Sequence, residues 1–189
     1  QFIVAESITK DLNPVNGSIQ KLVNRNTRLI TFCEDKVLRA VTNRDALYNA
    51  DGNPQLVASN AVVGDVTPYQ GNYGVSTNPE SVVATPYQLY FTDAKRGHVL
   101  ALSGEGVRSI SDKGMRDYFA DLMAENTHRM IGTYDVKKAE YNLTVLKKFK
   151  RDDHGYLADS TTISYNEISD GWTSFKSFIQ EGGVSLNNN

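Results

Sequence analysis

Cysteine is almost missing from this chain: its 189 residues include one, Cys33, with three histidines, five prolines and one tryptophan. A single thiol excludes an internal disulfide framework and any zinc site built from several cysteines. No apolar run approaches the roughly 18 residues of a membrane span, so no membrane span is expected. No succession of basic, apolar and small residues opens the chain as a secretory signal does. One-sided charge is missing too. Lys and Arg total 20 against 22 Asp and Glu, for a net charge of -2 and a pI near 5.9, which gives no global attraction to nucleic acid or anionic lipid. The first residue is Gln1 and not Met, from which we expect a processed product or a piece of a longer polypeptide.

What the chain does have is 40% hydrophobic residues, enough for one ordinary core, set out in short runs. The stretch NPESVVATPYQLYFTDAKRGHVLALSGEGVRSIS contains four β-rich runs, 81–84, 89–93, 98–102 and 107–111, separated by TPYQ, AKRG and SGEG. Such short links permit only antiparallel neighbours. Leu89, Phe91, Val99 and Leu102 are interleaved with Tyr90, Thr92 and Ala101, too apolar for one wet face, so both faces are expected to be covered.

The pattern returns. RLITFCEDKVLRAV (28–41) is again an apolar strand ending in an acid, a turn and an apolar strand, with SIQKLVNR before it and DGNPQLVAS after. RMIGTYDVKKAEYNLTVLKK and STTISYNEISDGWTSFKSFI supply two more hairpins. Glu34, Asp93, Asp135 and Glu167 end the first strand of each pair, the position where a carboxylate caps a turn. A recurrence of about 40 to 50 residues is the signature of radially stacked sheets. The expectation is therefore an all-β chain forming part of a β-propeller, preferred to a β-sandwich, with about three four-stranded antiparallel blades near 18–59, 81–111 and 129–179. Propellers have about four to eight blades, so residues 1–189 are expected to be a single propeller segment of a larger polypeptide or assembly.

Two segments stand apart. SDKGMRDYFADLMAEN (111–126) places Met115, Tyr118, Phe119, Leu122 and Met123 at helical spacing, with Ser111 or Asp112 as N-cap. It predicts one short inserted helix packed on the sheets, the alternative being a docking helix for a neighbouring subunit. Residues 60–80, with Gly64, Pro68, Gly71, Gly74 and Pro79, read as a long ordered loop, and loops of that length are usually functional or contact surfaces.

Chemistry-bearing constellations are absent from the text. His98, His128 and His154 fall at unrelated places with no HxH or HExxH spacing, and Cys33 lies mid-strand as a small hydrophobe. A catalytic carboxylate pair needs two different environments, which repetition at equivalent hairpin positions argues against. SGEGVRS leads into a strand and not a helix, so it is no phosphate loop. The basic run LKKFKRDDH (146–154) reads as a solvated hairpin tip, and the sequons at Asn16 and Asn142 are at chance frequency. Catalytic, cofactor-binding and metal-binding residues are all expected to be none, and no cofactor is expected. Trp172, beside Gly171 at the head of the last strand, is expected to be substantially buried.

Taken together, TPYQGNYGVSTNPESVVATPYQLYFTDAKRGHVLALSGEGVRSISDKGMRDYF, YDVKKAEYNLTV and TISYNEISDGWTSFKSFI resemble the repeated propeller region of tailed-bacteriophage virion proteins. The resemblance covers about 18–180 and is to the tail nozzle, muzzle or packaged-DNA stabilisation type of short-tailed and crAss-like phages. It implies a non-enzymatic structural subunit of the virion tail, in a homo-oligomeric ring that closes or lines the DNA channel. The implied partners are other tail and portal-vertex proteins, with at most non-specific contact with passing DNA. Such proteins are usually much longer, so the resemblance also implies a fragment, a cleavage product or a reduced relative. The competing class is a carbohydrate-binding or glycosidase-type propeller, whose mark would be carboxylates and aromatics gathered at one mouth.

Overall fold

The computed structural model describes residues 10–25, 27–48, 54–124, 127–147 and 160–184. Among these residues twelve strands form three separate four-stranded sheets, each a meander in chain order. The first sheet holds β1 (Ile19–Arg25), β2 (Arg28–Cys33), β3 (Val37–Tyr48) and β4 (Pro54–Pro68). The second holds β5 (Val83–Ala84), β6 (Leu89–Asp93), β7 (His98–Ser103) and β8 (Gly106–Ser109). The third holds β9 (Thr127–Asp135), β10 (Glu140–Lys147), β11 (Thr161–Asn166) and β12 (Gly171–Lys176). Every pairing among the described residues is antiparallel, as links of two to four residues require in seven of the nine.

Successive residues of β6 and β7 point to opposite faces of the second sheet, and both faces are buried. Leu89, Phe91, Leu100 and Leu102 join Ile30, Phe32 and Val37 of the first sheet, where Phe32 and Phe91 meet edge to face at 5.1 Å. Tyr90, Val99 and Ala101 join Tyr141, Leu143, Val145, Ile163 and Tyr165 of the third. The second sheet is thus a middle layer between two others, and its alternation has no polar phase because neither face meets water.

This arrangement corrects the β-propeller expectation. Three antiparallel four-stranded sheets and one helix are present, but the sheets are open and separate and are not closed into a propeller or barrel. Face-to-face layering covers both sides of the central sheet without any ring, so the apolar pattern that suggested radial stacking has a simpler cause.

Two boundaries also differ from the sequence reading. β4 runs on to Pro68, pairing Thr42 with Val63, Ala40 with Val66 and Leu38 with Pro68, so the loop expected over 60–80 begins only after it. Register slips between Ala40 and Thr42 and between Thr42 and Arg44 absorb the extra residues around Gly64, which reads in sequence as a turn. The helix α1 spans Arg116–Ala124 and starts later than Ser111. Gly114 sits at φ +80°, a left-handed conformation that a helix cannot contain, and Ser111 is engaged elsewhere. The stripe Phe119, Leu122 and Met123 is buried within the chain, as a packed insert requires.

Trp172 is half-buried, less enclosed than its position suggests, yet firmly held. Its ring lies 4.5 Å from Phe119 and 5.4 Å from Tyr165, and its indole N–H donates to the Ile110 carbonyl at 2.9 Å. Trp172→Ala is expected to cost about 2–3 kcal/mol, below the range for a fully buried ring. Urea unfolding checks it, and a loss under about 1 kcal/mol would contradict the contacts described.

Candidate functional site

The acids expected at equivalent hairpin positions are not equivalent: Asp93 and Asp135 close β6 and β9, whereas Glu34 and Glu167 lie one residue beyond β2 and β11, and they do different things. Asp135 does what the pattern predicts: its carboxylate accepts from the amides of Lys137 and Lys138 at 3.0 and 3.2 Å, closing its own turn. In the β11–β12 turn that task belongs to Asn166, whose Oδ1 accepts from the amides of Ile168 and Ser169 at 3.0 and 2.9 Å. Glu167 is thereby freed to reach another sheet.

Between the first and middle layers, Glu34 accepts from the Ser18 hydroxyl at 2.5 Å and from Lys95 Nζ at 3.4 Å. Asp35 pairs with Lys95 at 3.1 Å and Arg96 at 3.5 Å. The tip of the β2–β3 hairpin is thus bound to the tip of β6–β7. Wedged against both runs the segment 71–78: the Val75 amide donates to the Cys33 carbonyl at 3.0 Å, and the Ser76 amide to the Glu34 carbonyl at 2.9 Å. Its other side is held by Asp93, which is fully buried. That carboxylate accepts from the Gly74 amide at 3.1 Å, the Ser76 hydroxyl at 3.0 Å and the Arg96 guanidinium at 2.8 Å.

Between the middle and third layers, Glu167 accepts from Gln88 Nε2, from the Tyr90 hydroxyl at 2.6 Å and from the Tyr134 hydroxyl. Tyr90 is stacked 4.7 Å from Tyr141, whose hydroxyl donates to the Ser81 carbonyl at 2.9 Å. Asp170 accepts from Arg108 at 3.2 Å, Lys113 at 2.5 Å and the Tyr165 hydroxyl. A carboxylate among tyrosines is what a carbohydrate site would show, but here Tyr90 of the middle sheet donates to Glu167 across the seam, while Tyr134 and Tyr165 hold Glu167 and Asp170 from within the third sheet, and the group joins layers.

The charges follow this geometry. Burial works to raise the Glu167 carboxyl, but donation from Tyr134, Tyr90 and Gln88 outweighs it and holds the group below the usual range. Asp170 is held well below it by Lys113, Tyr165 and Arg108, against some burial, and Glu34 is lowered by Ser18 and Lys95. Tyr165 is pushed up to about 12, chiefly by burial and by its bond to Asp170. Carboxylates with lowered folded values contribute stability that is complete above the unfolded values of about 4 and is lost as pH falls through the folded ones. Denaturant midpoints are therefore expected to hold from neutrality to about pH 5 and drop below about pH 4, less steeply in Glu167→Gln. An equally steep fall in that variant would contradict the role given to Glu167.

The residues with catalytic potential are scattered. His98 Nδ1 lies 3.2 and 3.3 Å from the hydroxyls of Ser109 and Ser111, and Ser111 Oγ also accepts from the Val99 amide at 3.3 Å. This network holds β8 against β7. The side chain of His128, all of His154 and residues 148–154 of the basic run lie outside the described residues. Cys33 is buried, its thiol pushed up by burial and by Glu34, the opposite of what a nucleophile needs. Asn142 is buried and its Oδ1 accepts from the Ser164 hydroxyl at 2.5 Å, so its sequon lies away from the surface. Among the described residues no three His, Cys, Asp or Glu gather as metal ligands, and no helix is long and apolar enough to cross a membrane.

What the acidic repeat lacked in the sequence was its partners. Gln88 and Tyr90 lie 79 and 77 residues from Glu167, in a different sheet, and no local spacing announces them. A family model described as Crassvirus muzzle protein matches residues 1–183. No curated protein matches the chain.

Proposed function

The chain belongs to the Crassvirus muzzle protein family, and from that premise we propose that its three layers form a wall subunit of the phage tail. Membership makes it a structural protein of a phage virion. The finer reading is a subunit that repeats around an axis by heterologous contacts, closing into a ring with other tail and portal-vertex proteins and lining or closing the passage for DNA. The chain is one segment of that wall, within a larger polypeptide or assembly. It works by assembly and not by catalysis.

The observation that carries this reading is the pair of locked seams. Charged and hydrogen-bonded turns join the first layer to the second and the second to the third, ties that favour one stiff three-sheet block. A wall needs that stiffness, whereas an active site needs an accessible group. The test is a set of virions carrying His98→Ala, His128→Ala, His154→Ala or Cys33→Ala, each first shown to fold. All are expected to build complete tails. Substitutions on the exposed face of the 69–80 loop or of α1 are expected to abolish assembly while the monomer stays soluble. A purified monomer that hydrolyses a polysaccharide, or a tail complete without the chain, would defeat the reading.

A further inference from the structure

Three arginines gather where the first and middle layers open to solvent. Arg25 closes β1 and faces Arg28 across the β1–β2 pair, while Arg39 of β3 faces Ile30, two residues further along β2. Residues opposite one another share a face, and so do alternate residues of one strand. All three therefore leave the sheet on the side of Ile30 and Phe32, which covers the middle layer. Where the apolar contact ends, Arg25 and Arg28 line a cleft of about 480 Å³ with Ile30, Tyr69, Pro86 and Tyr87, and among the described residues no Asp or Glu lines it. Arg39 lies in the adjoining cleft, which shares Tyr69 and Gly104 and contains one acid, Glu105.

These cations are not balanced as others in the chain are. Arg96, Arg108, Lys113, Arg129 and Lys176 each meet a carboxylate. Among the described residues the Arg25 guanidinium donates to the Pro86 carbonyl at 2.9 Å and to no carboxylate, and Arg39 donates to the Thr67 hydroxyl at 2.9 Å while lying 5.4 Å over the Tyr69 ring. The Arg28 side chain has no ion-pair partner among the described residues. Guanidinium does not lose its proton, so three like charges stand side by side with aromatic surface next to them, Tyr87 being 81% exposed.

The geometry points to this arginine rim as a contact for the phosphodiester backbone of nucleic acid. Guanidinium groups match phosphate oxygens in pairs, and a row of them suits a polymer carrying one charge per repeat. The cleft is open, so a strand can run through it. The contact deepens the reading of the chain as a wall beside packaged DNA, and rests on it for its biological setting. Three contacts give grip without sequence preference, weak enough at physiological salt for the strand to slide.

The test is the binding of a fluorescent mixed-sequence DNA duplex to the purified chain over a salt series. Three phosphate contacts predict a slope of about -2.7 in log K against log salt, and Arg25→Gln/Arg28→Gln/Arg39→Gln is expected to bring it near zero. Lys137→Gln/Lys138→Gln, which removes charge from an exposed turn elsewhere, should bind like the parent. If the triple variant does not fold, Arg28→Gln alone carries the test, with a slope reduced by about 0.9. Unchanged binding in the variant, no binding by the parent chain, or arginine-dependent binding of polygalacturonate in place of DNA would each overturn the proposal. Tails that are complete without the chain would defeat the wall reading separately, leaving the binding data standing.

Discussion

Asp93→Ala is expected to destabilise the protein by about 3–5 kcal/mol, from two buried donors left without an acceptor at about 1–3 kcal/mol each and the loss of a charge-assisted bond. The carboxylate has no exposed surface, and removing it strands the Gly74 amide and the Ser76 hydroxyl, while Arg96 loses its shorter ion pair and keeps Asp35. Water has little access to replace it, so the donors meet the full cost of lost partners. Asp93→Asn, which keeps the shape and one acceptor, should lose less. Urea unfolding of both variants checks the order, and an alanine variant within about 1 kcal/mol of the parent would show that the 71–78 segment is held without this carboxylate.

Gly74→Ala should be nearly as damaging, for a steric reason. A Cβ at this position falls 2.1 Å from the Glu34 carbonyl oxygen and 2.6 Å from the Asp35 amide nitrogen. Both are backbone atoms of a turn already tied to Lys95, so no flexible side chain can swing aside. The segment must lift away, and the bonds from Val75 to Cys33 and from Ser76 to Glu34 go with it. A loss of about 3 kcal/mol is expected, at the upper end for overpacking. Gly182→Ala, where an added Cβ meets nothing, should be neutral within about 0.5 kcal/mol. Equal melting temperatures for the two variants would sink the clamp.

Which parts of this fold could be read from sequence follows from the range of the forces involved. The hairpins were legible because a strand such as Leu89–Asp93, its turn and His98–Ser103 are settled by neighbours within a few residues. The two-faced burial of β6 was legible for the same reason. How layers meet is decided by contacts such as Phe32 with Phe91 and Tyr90 with Tyr141, distant in the chain, and repeated hairpins serve radial stacking and plain layering equally well. The acids were visible at Glu34, Asp93 and Glu167, but not their partners. Gly64 and Pro68 concealed the length of β4, because a slipped register lets a strand keep residues that usually end one. The arginine rim left no mark at all: Arg25, Arg28 and Arg39 become neighbours only through β-pairing.

Each meander is contiguous along the chain, and the layers occur in space in the order in which they occur in sequence. A ribosome therefore delivers a complete first sheet before the second begins, and contacts within each sheet close over short loops, which favours fast formation. The second sheet emerges with a surface on which to settle, but its Tyr90 and Val99 side must wait for β9 to β12. During that interval the nascent chain carries an uncovered apolar face, and the time of greatest exposure to aggregation comes late in synthesis, after Ser109 and before the last hairpin has left the tunnel.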